Sequence, residues 1–151
     1  MISKNKFITS AKAIKQVQTN STKSLISVIL LCDSPGYRMK SYGPASLILF
    51  NNKRLIDIQI EAIQKIFPLY EIIVCVGFDS EKVCKYIRQK YRNINIRIVE
   101  NQIFSNSNSS ESTRIALNNI SNDKILLCDG SLYFTPEVLA QIPYNISNIL
   151  T

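Results

Sequence analysis

From residue 25 onward, short apolar runs alternate with longer stretches in which apolar residues recur every three or four positions. This alternation constrains the fold of the chain more than any other feature. Residues 25–32, 70–76 and 124–128 are largely apolar and read as strands, and residues 94–99 alternate through Ile94, Ile96 and Ile98. Between the first two runs, residues 55–67 place Leu55, Ile58, Ala62, Ile63 and Ile66 on one helical stripe, and Pro68 ends it. Residues 80–91 do the same with Val83, Cys84 and Ile87, and residues 111–119 are predicted helical. Thr135-Pro136-Glu137 opens a further helix, with Thr135 at the N-cap and Pro136 in the first turn, where its missing N–H costs nothing. Residues 46–50 are predicted as a short extended piece turning at Asn51-Asn52, and the Ser/Asn-rich residues 101–110 as a loop. Strands followed by helices predict an α/β, three-layer, Rossmann-like fold with a mostly parallel sheet covered on both faces. The most apolar runs, 25–32 and 125–128, are expected at its centre. Such sheets bind ligands beyond the carboxyl ends of their strands, where the strand order reverses. That selects three segments: the loop after Cys32, the loop after Glu100, and Asp129-Gly130-Ser131.

At 151 residues the chain is long enough for one domain with a sizeable core, and no apolar run reaches the length of a membrane span. The net charge of +7 is unevenly placed: residues 1–24 hold Lys4, Lys6, Lys12, Lys15 and Lys23, and Asp33 is the first acidic residue. The predicted organisation is a basic arm over 1–24, with a short helix around 11–18, and a folded domain over 25–151. Such an arm suits phosphates, anionic lipid or an acidic protein partner; a frayed terminus is the plain alternative. The cysteines at 32, 75, 84 and 128 form no C-x-x-C pair, and the chain has no histidine. That argues against structural zinc and excludes Ser-His and Cys-His nucleophiles. Cys32, Cys75 and Cys128 sit in strand-like runs, where cysteine packs as a small hydrophobe, and a reducing, cytoplasmic compartment is the simplest expectation.

The first strand leads into Leu31-Cys32-Asp33-Ser34-Pro35-Gly36-Tyr37-Arg38-Met39, four residues, then Pro44-Ala45-Ser46-Leu47. The spacing resembles, without a gap, the pattern L-A-A-G-x-G-x-R-M-x-x-x-x-P-K-x-L of the nucleotidyltransferase superfamily, the sugar-nucleotide pyrophosphorylases and choline-phosphate cytidylyltransferases. Four further stretches follow in register. Asn52-Lys53-Arg54-Leu55-Ile56 with Gln59-Ile60-Glu61-Ala62-Ile63 resembles G-K-P-L-L and Q-I-E-A-L. Glu71-Ile72-Ile73-Val74 through Gly77, Phe78 and Glu81 resembles E-I-I-V-V-x-G-Y-x-x-E. Asn101, Phe104, Ser107, Asn108, Ser112 and Ala116 follow the family's N-P-x-Y-x-x-T-N-x-x-x-S-L-x-x-A, and Gly130 through Phe134 its G-D-x-x-F. The resemblance implies the nucleotide-diphospho-sugar transferase-like fold, and the N-terminal half of it, since family members continue into further elements. It implies that Ser34 and Gly36 shape a loop around a triphosphate and that Arg38 is catalytic, neutralising the pyrophosphate leaving group. Asn108 and Ser112 would approach base or sugar, with NTP and Mg²⁺ as cofactors of an active member; Asp129, two positions before the residue that matches the family's metal aspartate, is a separate candidate for nucleotide or metal. The residues themselves leave plainer readings open. Gly36 suits a turn, Asn108 turn chemistry, Ser112 the packing of a helix, and Asp129 the capping of a neighbouring loop.

The departures from the family pattern are as specific as the matches. The family lysine that stabilises the α-phosphate corresponds to Ala45, and the aspartate that holds Mg²⁺ corresponds to Ser131. Ser34 replaces a loop glycine, and Pro35 removes an N–H. Losing one charge-stabilising donor at such a centre costs about 3 kcal/mol. Asp33, Asp129, Lys40 and Lys53 are the residues that would have to compensate. The expected function is therefore a degenerate nucleotidyltransferase-like domain, non-catalytic and used as a structural, assembly or binding module of a larger protein complex. The AT-rich composition makes a viral particle one such setting. The alternative is an active Mg²⁺-dependent enzyme joining an NTP to a phosphorylated sugar or choline with release of pyrophosphate.

Overall fold

The computed structural model describes residues 25–35, 42–143 and 147–151; the arm and its expected helix over 11–18 lie outside them. Five strands, β1 (Ile26–Cys32), β4 (Tyr70–Val76), β5 (Ile96–Glu100), β6 (Ile125–Asp129) and β7 (Asn148–Leu150), form one sheet in the order β5-β4-β1-β6-β7. Every neighbouring pair is parallel, with Leu30 of β1 opposite Val74 on one side and Cys128 on the other. The chain runs outward from β1 through β4 to β5, then returns to β6 on the other side. The strand order thus reverses between β1 and β6, the doubly wound arrangement in which ligands sit beyond the strand ends.

Burial explains why the apolar runs become inner strands. Val28, Ile29 and Leu30 of β1 and Ile72 through Val76 of β4 are fully buried on both faces, as expected where helices cover both sides of a parallel sheet. On one face Val28, Leu30, Ile72, Val74 and Leu126 share a core with α1 (Leu55–Ile66), α2 (Ser80–Lys90) and the short α4 (Pro136–Leu139). Ile56, Ile60, Ile63, Val83, Ile87 and Leu139 supply the helical side. On the other face Ile29, Ile73 and Cys75 meet Ala116 of α3 (Ser109–Leu117). The alternation of β1 between the two cores is the period of two of a strand. Cys32, Cys75 and Cys128 are buried free thiols, and burial pushes them up to about 12, about 11 and about 12. They pack as hydrophobes, as the sequence suggested. Among the described residues no helix is long and apolar enough to cross a membrane.

The expected extended piece over 46–50 is only partly extended. Pro44 leads instead into a 3₁₀ turn, Ala45–Leu47, closed by Leu47 N–H to the Pro44 carbonyl and Ile48 N–H to the Ala45 carbonyl. Only β2 (Leu49–Phe50) is a strand, and it pairs with β3 (Lys53–Arg54) in a hairpin. Asn51 and Asn52 both have positive φ, 49° and 63°, which the two-residue turn between right-twisted strands requires. β5 starts two residues later than expected, because Ile94 and Ile96 close local turns onto Tyr91 and Ile94. α3 starts two residues earlier, at Ser109. The three-residue β7 was not anticipated: so short a strand has no readable period.

Two polar clusters fasten the layers. At the amino end of the sheet the buried Glu71 accepts hydrogen bonds from Ser27 Oγ (2.5 Å), Ser121 N–H (2.5 Å) and Asn122 Nδ2 (3.0 Å). Between α1 and α2 the buried Asp57 takes the Lys90 ammonium at 2.7 Å and the hydroxyls of Tyr86 and Tyr91 at 2.7 and 2.5 Å. Burial pushes the Asp57 carboxyl up, but these three hydrogen bonds outweigh it and hold the group below its ordinary value.

Candidate functional site

The carboxyl ends of β1, β4 and β5 converge on Asp33, and glycine lets them come that close. A Cβ on Gly77 would stand 2.8 Å from Phe104 Cβ and 2.9 Å from the Asp33 carbonyl. That carbonyl accepts the Phe78 N–H at 2.9 Å. The Asp33 side chain is buried and turned inward, accepting a 2.5 Å hydrogen bond from Ser112 Oγ. The Asn101 amide in turn donates to Ser112 Oγ at 2.8 Å and to Ser107 Oγ at 2.9 Å, while its carbonyl oxygen accepts the Ile103 N–H. Asn101 N–H itself donates to the Val76 carbonyl at 2.8 Å. One chain of hydrogen bonds therefore ties three strand ends to α3. It satisfies the carboxylate and amide that would otherwise be costly to bury.

Above this network lies a cleft of about 420 Å³, bordered among others by Ser34, Pro35, Phe78, Phe104, Ser107 and Asn108. Phe78 and Phe104 meet edge to face at 6.4 Å and form an aromatic wall. Asn108 caps α3, its Oδ1 accepting the Ser110 N–H at 3.0 Å, so the turn reading of this residue holds. No lysine or arginine among the described residues borders this cleft.

Across the reversal point, Asp129 ends β6. A Cβ on Gly130 would stand 2.4 Å from the Leu31 carbonyl, to which Gly130 N–H donates at 2.8 Å, so the turn presses directly on β1. Gln59 of α1, fully buried, donates to the carbonyls of Asp129 (3.2 Å) and Leu132 (2.7 Å) and fixes the turn from below. Asp129 Oδ1 accepts the N–H and the hydroxyl of Ser131 at 2.8 and 2.7 Å. Asp129 borders an adjoining cavity of about 490 Å³ on the α3 face with Leu31, Thr113 and Leu127, and Ser109 lines both.

The predicted site residues thus part company. Ser34 and Asn108 share one cleft, Ser112 supports it from beneath, and Asp129 borders the adjoining cavity. Gly36, Arg38 and Lys40 lie outside the described residues. Ala45 is buried in the 3₁₀ turn, and Lys53 is engaged with Glu61 at 2.6 Å. Asn101, Phe78 and Phe104 were not singled out as site residues. A polar residue directly after a strand, as at Asn101, is the signal that marks one. The donor set can be set against the chemistry of Mg²⁺ and an NTP. Serine hydroxyls, an asparagine and an aromatic wall suit a base or sugar. Mg²⁺ wants several oxygens in near-octahedral geometry. Of the carboxylates at these strand ends, Asp33 accepts the Ser112 hydroxyl, Asp129 the Ser131 hydroxyl and Glu100 the Ser80 hydroxyl, and no cluster of three acidic or thiol groups that could hold a metal exists among the described residues. The described residues do not fit a metal-held triphosphate.

Neither a protein-family model nor a curated protein sequence matches the chain. Solved structures do, and they are nucleotidyltransferases. The 4-diphosphocytidyl-2C-methyl-D-erythritol synthase of Anaerococcus prevotii superposes with a TM-score of 0.60 at 22% identity, over 78% of this chain and 48% of its own. CTP:phosphocholine cytidylyltransferase from Streptococcus pneumoniae gives 0.60 at 24%, over 74% and 50%. The inositol-1-phosphate CTP transferase of T. maritima gives 0.61 at 18%, over 77% and 47%. At these identities the likeness is one of fold, and the chain spans about half the length of the proteins it matches.

Proposed function

We propose that this domain keeps the nucleotide-binding frame of a nucleotidyltransferase but does not turn over, and serves as a binding or assembly module of a larger protein complex. One observation carries the reading: the two positions where the family resemblance calls for charge hold none. Ala45 is a buried methyl group in a 3₁₀ turn, and the Ser131 hydroxyl is committed to Asp129. Phosphoryl transfer rests on neutralising charge as it moves, so uncharged groups at both places remove the main catalytic term. The serines, Asn108 and the Phe78–Phe104 wall leave a surface that suits base and sugar. The five-lysine arm suits attachment to an acidic partner.

The test is pyrophosphate release from the purified chain with Mg²⁺, each NTP, and phosphocholine or a sugar phosphate. No release is expected. Release that Arg38→Ala abolishes would overturn the reading in favour of an active enzyme. The assembly role predicts that deleting residues 1–24 frees the domain from its complex while its circular dichroism is unchanged, and retained assembly would count against the arm.

A further inference from the structure

Away from the strand ends, a cavity of about 440 Å³ opens beside α2. Arg54, Lys82 and Lys85 border it, with Tyr42 and Tyr86, and it shares no lining residue with the cleft around Ser34. Its walls are held in place. Arg54 Nη1 donates to the Leu47 carbonyl at 2.7 Å, and its guanidinium lies 4.7 Å over the Tyr86 ring. Tyr86 is itself fixed by its hydroxyl on the buried Asp57. The arginine therefore presents its remaining N–H donors from a set position, which lowers the ordering cost of binding. Lys82 shares its charge with Asp79 at 2.5 Å, whereas none of the ion pairs among the described residues engages Lys85. Tyr42 is 75% exposed and adds a flat apolar wall.

We propose that this recess binds the phosphate group of a small phosphorylated molecule, gripped by Arg54 and Lys85 with Lys82 at the rim. A planar guanidinium matches phosphate oxygens two at a time, and a flexible ammonium adds a second charge from the helix. The cavity has the size of a small-molecule site. This inference does not depend on what the strand-end cleft binds, because no residue is common to the two.

The experiment is an amide chemical-shift titration of the full chain at low ionic strength, first with inorganic pyrophosphate and then with a nucleoside monophosphate. Saturable shifts are expected at Leu47, Lys82, Lys85 and Gln89 with either ligand. Lys85→Glu should weaken binding about tenfold or more, the scale of one charge-assisted hydrogen bond. Because Lys85 is exposed, that variant keeps the wild-type melting curve. Lys65→Glu makes the same charge change at an exposed position of α1 and should leave affinity unaltered. Equal weakening by both variants would reduce the effect to net charge and overturn the site. So would shifts confined to the surroundings of Ser34 and Asn108. Tighter binding of a single-stranded oligonucleotide, with shifts extending well beyond the recess, would overturn the small-molecule assignment.

Discussion

Replacing Ser112 by alanine removes the hydroxyl that joins Asp33 to Asn101. The wild-type hydroxyl is fully buried, donates to the Asp33 carboxylate at 2.5 Å and accepts the Asn101 amide at 2.8 Å. A hydrogen bond to a charged group is worth about 1.5–3 kcal/mol, and the buried Asn101 donor left without this acceptor adds to that cost. The expected loss is about 2–4 kcal/mol, a sizeable part of the stability of a domain this size. At about 4 °C per kcal/mol, the melting temperature falls by about 8–16 °C in circular dichroism at neutral pH. The double variant with Asp33→Asn should fall by less than the sum of the two single changes, since both remove the same contact. A fall of less than about 3 °C for Ser112→Ala, or additive effects in the double variant, would refute the claim that this network holds the three strand ends together.

Gly130→Ala forces a Cβ against the Leu31 carbonyl and should lower the urea midpoint by the equivalent of about 1–3 kcal/mol, read from equilibrium denaturation. Asn108→Ala removes the cap of α3 at a cost of about 1 kcal/mol, measured the same way, with faster hydrogen exchange at Ser110. Asp57→Asn should cost about 1.5–3 kcal/mol at pH 7. Because the carboxyl is held below its ordinary value in the folded state, its contribution is complete above about pH 4 and fades as pH falls through the lower folded value. Thermal melts of wild type and variant should therefore converge below pH 4 and stay parallel above it, and the opposite trend would contradict the Lys90–Asp57–tyrosine cluster.

The legibility of the fold followed from how each element is stabilised. β4 runs over the residues read from the sequence, and α1 and α2 differ from theirs by one residue at the C-terminal end, because their apolar period is a local property set by burial. The hairpin turn was legible in Asn51-Asn52, because few residues tolerate positive φ. The 3₁₀ turn after Pro44 was not, since its bonds depend on how α1 draws the segment inward: Arg54 holds the Leu47 carbonyl, and Leu55 N–H donates to Ile48. Where the candidate site residues stand was not legible for the same reason. Asn108 and Ser112 stand four residues apart with similar chemistry, yet one caps a helix at the rim and the other is buried beneath the cleft.

Sequence alone determined the α/β class, the alternation of the longer strands and helices, the centrality of residues 25–32, and the lack of charge at Ala45 and Ser131. These follow from local periodicity and residue identity, which need no partner. Tertiary structure alone decided that β6 returns to the other side of β1, and that Asp33 turns inward to Ser112 and Asn101. It also decided that Asp129 borders a cavity adjoining that of Ser34, and that Arg54, Lys82 and Lys85 meet in one recess. Each of these depends on contacts between residues far apart in the chain, where hydrogen-bond satisfaction and close packing, rather than local preference, select the arrangement.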